Sequence, residues 1–154
     1  MPTNTRAKAK DLVITRIVAV PRERLWEAWT EPIQVQQWWG PEGFTNPTCD
    51  WNAVPGGDIY IDMKGPDDVI YPMEGIFHEA KRPGRLKFTA SALGLDGKAL
   101  FDVLTTVTLE EKGDKTKLTI RAKPENITPE AKQYLDGMEQ GWNQTLDRLA
   151  KYLR

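Results

Sequence analysis

The side chains able to do acid–base, nucleophilic or metal chemistry are few and scattered. His78 is the only histidine, and an ordinary pKa near neutrality makes it the obvious general base if the chain catalyses anything. Strand alternation, however, sets His78 opposite Phe77, on the outer face of the strand that carries both, which favours a structural or solvent-facing role. Ser91 is the only serine, and nothing in its spacing from His78 and the aspartates supports a Ser-His-Asp triad. Cys49 is the only cysteine; with no adjacent cation and no helix N-terminus to lower its pKa, it reads as buried and inert. One His and one Cys leave only carboxylates for a metal. Asp67 and Asp68 sit in a turn where aspartate is favoured for local hydrogen bonding, so neither a metal site nor a cofactor is expected. Pro55-Gly56-Gly57 lacks the lysine and following helix of a phosphate loop and reads as a hairpin turn. Arg16, on an otherwise apolar strand, must find a carboxylate or reach solvent. A structural salt bridge is the favoured reading, and contact with a ligand carboxylate is the alternative. His78, Arg16 and Asp50 are the candidates for a polar group aimed into an enzyme cavity.

Composition narrows the partners. The 154 residues are enough for one domain with a sizeable core and too few for two ordinary ones. The formal net charge is −1, and no Lys/Arg cluster is interleaved with aromatics as a nucleic-acid stripe requires. Residues 1–10 are polar and basic without an apolar period and read as a disordered leader, with a single domain over 11–154. The stretch after the leader is too short and too interrupted for a signal peptide or a membrane span. A lone cysteine forms no internal disulfide, which fits a reducing cytoplasm.

The elements that must position any site follow from punctuation and periodicity. Leu12 to Val20 is β-branched and apolar and stops at Pro21, which predicts a strand running into a helix. Leu25, Ala28 and Trp29 share one helical face. Pro32 opens a second short helix that ends on Trp38-Trp39 before Gly40-Pro41. From Phe44 to Thr119 turn signals recur at Pro55-Gly56-Gly57, Gly65-Pro66-Asp67-Asp68, Pro83-Gly84, Asp96-Gly97 and Gly113-Asp114, as in an antiparallel meander. Ile59, Ile61 and Met63 share one strand face, as do Phe101, Val103, Val107 and Leu109. Gly75, inside a strand, implies a bulge, a bend or the close approach of another backbone. Thr128-Pro129 predicts the start of a long C-terminal helix, with Thr128 offered as N-cap. Leu135, Met138, Trp142, Leu146, Leu149 and Leu153 then fall within an arc of roughly 80°. Gly137 and Gly141 lie off that stripe and suggest close packing against a neighbour.

These elements have one economical arrangement: an α+β domain in which a curved antiparallel sheet of about seven strands grips the C-terminal helix. Two short helices fill the gap after strand one, and room is left for an apolar cavity. The segments Thr15-Arg16, Ala28-Trp29-Thr30-Glu31-Pro32, Trp38-Trp39-Gly40-Pro41, Pro55-Gly56-Gly57, Gly65-Pro66-Asp67, Gly75 and Gly141-Trp142 also carry a resemblance, which covers nearly the whole chain from Leu12 to Leu153. The chain resembles the family of activators of the heat-shock-protein-90 ATPase, homologue type, within the START-like, Bet v I-like (SRPBCC) superfamily. The resemblance implies the helix-grip fold. It also implies a cavity between sheet and C-terminal helix, for which Trp38, Trp39, Phe44, Trp51, Phe77, Phe88, Phe101, Met138 and Trp142 are the candidate ligand-binding residues.

Three functions are compatible with the resemblance: binding of a hydrophobic small molecule, which is the leading expectation; co-chaperone-like contact with a heat-shock-protein-90-type ATPase; and a polyketide cyclase or dehydratase activity. The eukaryotic co-chaperone has a further N-terminal domain without counterpart in these residues, which sets the chaperone reading second. The chain is expected to be a monomer or a weak homodimer.

Overall fold

The computed structural model describes residues 11–94 and 96–154; the expected leader, residues 1–10, lies outside the described residues. Strand β1 (Leu12–Val18) is followed by helices α1 (Arg22–Thr30) and α2 (Pro32–Trp38). Strands β2 (Thr45–Trp51), β3 (Asp58–Lys64), β4 (Ile70–Lys81), β5 (Arg85–Leu93), β6 (Ala99–Lys112) and β7 (Lys115–Glu125) come next. The seven strands form one sheet in the order β1-β7-β6-β5-β4-β3-β2, antiparallel throughout. From β2 to β7 the chain is a plain meander, and each expected turn signal falls between two consecutive strands.

The one long connection sets the topology. β1 and β2 are the two edges of the sheet, so α1 and α2 must carry the chain from one edge to the other. Pro21 and Pro32 start these helices with fixed φ and no N–H to lose. Leu25, Ala28, Trp29, Val35 and Trp38 are all fully buried, so the faces read from the helical period are the faces that pack on the sheet. The indoles lock the helix pair in place: Trp38 Nε1 donates to Ala28 O (3.0 Å) and Trp51 Nε1, from β2, donates to Trp29 O (2.8 Å).

The C-terminal helix differs from expectation in one respect. It is not continuous: a 3-10 turn (Pro129–Ala131) leads into a short helix α3 (Lys132–Asp136), and α4 runs from Met138 to Tyr152. Gly137, at φ −95° and ψ 0°, stands between them. Thr128 takes the expected N-cap position, ahead of the 3-10 turn, but its side chain makes no cap hydrogen bond, because the hydroxyl donates to Leu100 O at 2.7 Å and so ties the chain to β6. Helical periodicity continues through such a break, since both sides of it face the same sheet. Leu146 and Leu149 of α4 are buried in the core. Arg16 crosses from β1 to α4, pairing with Asp147 Oδ1 (2.7 Å) and donating to Asn143 O (3.2 Å) and Oδ1 (3.0 Å).

Gly75 marks a close approach. A Cβ built there would stand 2.1 Å from Thr89 O and 2.9 Å from Ala90 Cα on the neighbouring strand β5. Backbone atoms of a central strand cannot move aside without disturbing the pairing on both flanks. Gly75→Ala is therefore expected to destabilise the fold by about 3 kcal/mol or more, measured by urea unfolding. A loss below about 0.5 kcal/mol would show that β5 yields freely.

Candidate functional site

Between the sheet and the C-terminal helices lies a cavity of about 250 Å³. Its floor is a patch of two paired strands. Phe88, Ala90 and Ala92 of β5 stand opposite Thr105, Val103 and Phe101 of β6, and all six line the space. Met63 of β3, Met73 of β4 and the Trp39-Gly40-Pro41 turn close the sides, while Tyr134, Met138, Trp142 and Thr145 form the roof. Short side chains on the floor are what leave the room. Where the same strands carry Leu86, Val107 and Leu109, with Leu146 and Leu149 also in the core cluster, side chains fill the interior. The helix is thus packed onto the core at its C-terminal half and roofs the cavity at its N-terminal half.

Trp39 stands at the boundary. Its ring centroid lies 6.4 Å from Trp29, 5.8 Å from Trp38, 5.2 Å from Trp51, 6.4 Å from Phe88 and 5.8 Å from Trp142. It is the residue after α2, in an extended conformation that turns the chain. The turn it begins is held by α4: Arg148 Nη1 donates to Trp39 O (3.0 Å), Gly40 O (2.9 Å) and Pro41 O (3.0 Å), and its Nη2 reaches Gln37 O at 3.4 Å. These carbonyls lie at and just beyond the C-terminus of α2, where a cation is favoured. Burial pushes the Arg148 pKa down. Asn46 adds a second tie, donating from Nδ2 to Gln36 O (3.0 Å) and Trp39 O (2.9 Å). At Gly141 a Cβ would lie 3.6 Å from Pro41 Cγ, an ordinary van der Waals contact, so the packing of the turn against α4 does not require a glycine there.

The structure divides the nine aromatic and Met candidates. Trp39, Phe88, Phe101, Met138 and Trp142 line the cavity. Trp38, Trp51 and Phe77 do not: they are buried in the filled part of the interior, where Trp51 packs on Phe77 at 5.1 Å and Trp38 on Trp29 at 4.7 Å. Phe44 also lies off the wall, beside Tyr71 at 5.8 Å. Aromatic type alone does not separate the groups, since large rings are buried wherever space allows. Sequence reasoning passed over Thr105, Ala90 and Ala92, although parity was the available signal: Thr105 has the inward parity of Phe101 and Leu109, and the alanines that of Phe88. Tyr134 was also passed over, although its place four residues before Met138 puts it on the same helical face.

None of the three candidates for catalysis lines the cavity. His78 is exposed on the outer face, with Nε2 2.7 Å from Thr89 Oγ1, at a position where the pairing of β4 with β5 shifts register. Arg16 is engaged by Asp147 and Asn143, and Asp50 is exposed. Ser91, two residues from Thr89 on β5, donates to Asp102 Oδ1 (2.5 Å), while the His78 ring pairs with Thr89, so serine and histidine are not hydrogen-bonded to each other. Asp67 serves its turn, accepting from Tyr71 Oη (2.6 Å) and Val69 N (3.1 Å), which holds its carboxyl below the usual range. Among the described residues, no group of three or more His, Cys, Asp or Glu side chains is placed to hold a metal, and no helix is long and apolar enough to cross a membrane.

Residues 19–154 match the family described as Activator of Hsp90 ATPase homolog 1-like protein. No curated protein matches the sequence. Among solved structures, a Nitrosomonas europaea protein is 28% identical with a TM-score of 0.78, the match covering 93% of each chain. The AHSA1 protein of Silicibacter pomeroyi is 24% identical with a TM-score of 0.82, over 94% of this chain and 97% of that one. DynU16, a protein from the dynemicin biosynthetic locus, is 23% identical with a TM-score of 0.68. That match covers 93% of this chain and 46% of DynU16.

Cys49 is half-buried, and its Sγ lies 3.7 Å from Pro32 O. Burial, with a smaller contribution from Asp50, raises the thiol to about 11. A raised acid pKa means less thiolate at a given pH, so at pH 8 alkylation by iodoacetamide should run roughly a hundredfold slower than for free cysteine. It should accelerate about tenfold per pH unit up to pH 10. Labelling at the rate of free cysteine would show an open, unperturbed thiol.

Proposed function

The chain belongs to the Activator of Hsp90 ATPase homolog 1-like family, and from that premise we propose that it binds a hydrophobic small molecule in the cavity between the sheet and α3–α4. The observation that carries this reading is the wall itself. It is made of indole, phenyl, thioether and methyl groups around about 250 Å³. Tyr134 is its one titratable side chain among the described residues. Protein interiors are normally packed to crystal-like density, and an apolar void of this size next to a partly open rim matches the general form of ligand pockets. The wall favours binding over acid–base chemistry, because neither a histidine nor a carboxylate faces the space.

Native mass spectrometry of the freshly purified protein, set beside its denatured mass, tests the proposal. A defined adduct that disappears on denaturation is the expected result and identifies the ligand's mass. A clean apo mass, combined with a change in the ATPase rate of a heat-shock-protein-90-type chaperone, would move the assignment to the chaperone reading that the family's description suggests.

Ala90, at the centre of the floor, offers a direct control. Ala90→Leu places three more carbons in the cavity and should abolish adduct retention while leaving the melting temperature within about 3 °C of the parent or raising it. In a filled interior the same change would cost roughly 1–3 kcal/mol, lowering the melting point by several degrees. Retention of the adduct by this variant would place the ligand elsewhere.

A further inference from the structure

The two edges of the sheet are built differently. At the β2 edge the pairing with β3 shifts register between Thr45 and Thr48, and Pro47 stands inside the shift with no N–H to offer. A proline and an irregularity of this kind are common means of keeping an edge strand from pairing with another chain. The β1 edge has neither. Leu12 to Val18 pairs with β7 without a register shift, contains no proline, and has β7 as its one neighbour in the sheet. In an antiparallel strand alternate residues turn their N–H and C=O away from the neighbour. Among the described residues, no backbone group of Leu12–Val18 has a backbone partner outside the ladder with β7.

The side chains of this edge do not guard it either. Val13 and Ile17 point to the convex face, 49% and 60% exposed, with Thr15 exposed between them. The single charge in the strand is Arg16, on the concave side. An inward-pointing charge can itself guard an edge, because pairing would bury it alone; this one is already met by Asp147 and Asn143 of α4. No unbalanced charge stands in the way of a second strand.

The strand is its own complement. Turned antiparallel about a two-fold axis at Thr15, it sets Val13 opposite Ile17 of a second copy and Thr15 opposite Thr15, while on the concave side Leu12 meets Val18 and Ile14 meets Arg16. Pairs of β-branched residues and Thr–Thr pairs are favourable cross-strand neighbours, and a two-fold contact of one patch with itself is the commonest way for identical chains to associate. We propose that β1 pairs with β1 of a second copy, antiparallel and centred on Thr15, so that two sheets join into one. Seven residues in a single strand pair fall short of the roughly 1,200 Å² of a stable interface. The dimer is therefore weak, with a Kd of about 100 µM or above, and it closes at two copies because the β2 edge is blocked.

Sedimentation equilibrium of the full chain up to about 1 mM, together with disulfide trapping, tests the pairing. The expected result is a reversible monomer–dimer equilibrium that Ile17→Lys weakens about tenfold or more, while the melting temperature stays within about 2 °C of the parent's because the side chain is exposed. In a Cys49→Ser background, Thr15→Cys should form a disulfide-linked dimer about tenfold faster, or more, than Val13→Cys does. Directly opposed Cα atoms stand about 4.5–5.5 Å apart, inside the range that a disulfide spans, whereas position 13 and its own copy would be more than about 13 Å apart. The trapping leaves Ile17 in place and decides the matter even where Ile17→Lys is unstable. A chain that stays monomeric at about 1 mM would overturn the proposal and leave the edge to an unlike strand. So would a dimer untouched by Ile17→Lys, growth beyond the dimer, or equal trapping at positions 13 and 15, which would mean another register or chance collision.

Discussion

The crossing from β1 to β2 is the constraint on which the rest of the molecule depends. These strands are the opposite edges of a seven-stranded sheet, and the chain between them must cover one end of the concave face. It does so with two short helices whose apolar stripes are tryptophan-rich. Trp29, Trp38 and Trp39 from this segment meet Trp51 of β2 in a continuous set of ring contacts. Indoles suit this junction because each buries a large apolar area while its N–H can satisfy a carbonyl, as Trp38 and Trp51 do. Once the helix pair is fixed, only part of the concave face remains for α4 to cover.

The division of that face into a filled half and a hollow half follows from side-chain volume. β5 and β6 run past both halves. In the filled part they present leucine and valine; beneath the hollow part they present Ala90, Ala92, Val103 and Thr105. Trp39 stands between the two, and Arg148 anchors the turn that begins at it to α4 by hydrogen bonds to successive carbonyls. Tyr134 of α3 packs against Phe101, with ring centroids 6.4 Å apart. An arginine bound to carbonyls and an apolar cavity free of charge belong to one arrangement: the cation holds the rim rather than facing the interior.

The polar chemistry of the chain lies outside that interior. His78 and Thr89 meet on the convex face, Ser91 and Asp102 are paired, and Glu79 is surrounded by Lys81, Arg85 and Lys87, which hold its carboxyl low. Such exposed pairs contribute little to stability. Their placement explains why scattered reactive residue types in the sequence did not converge on a site.

Turn positions, the antiparallel meander and the buried faces of α1 and α2 were determined by the sequence itself, because period and punctuation are local properties, and the helix-grip fold was legible through the family resemblance that those segments carry. Leu25, Ala28 and Trp29 face the core as a 3.6-residue repeat requires, and the Pro/Gly/Asp turns fall between strands. The salt bridge of Arg16 was legible for the same reason, since a lone cation on an apolar strand must be met. Only the tertiary structure decided which aromatics border empty space. Trp38 and Trp39 are adjacent in sequence, yet one is sealed among rings and the other borders the cavity. A void is defined by what is missing between elements distant in sequence, and Ala90 opposite Val103 acquires that meaning only once the register of β5 and β6 is set.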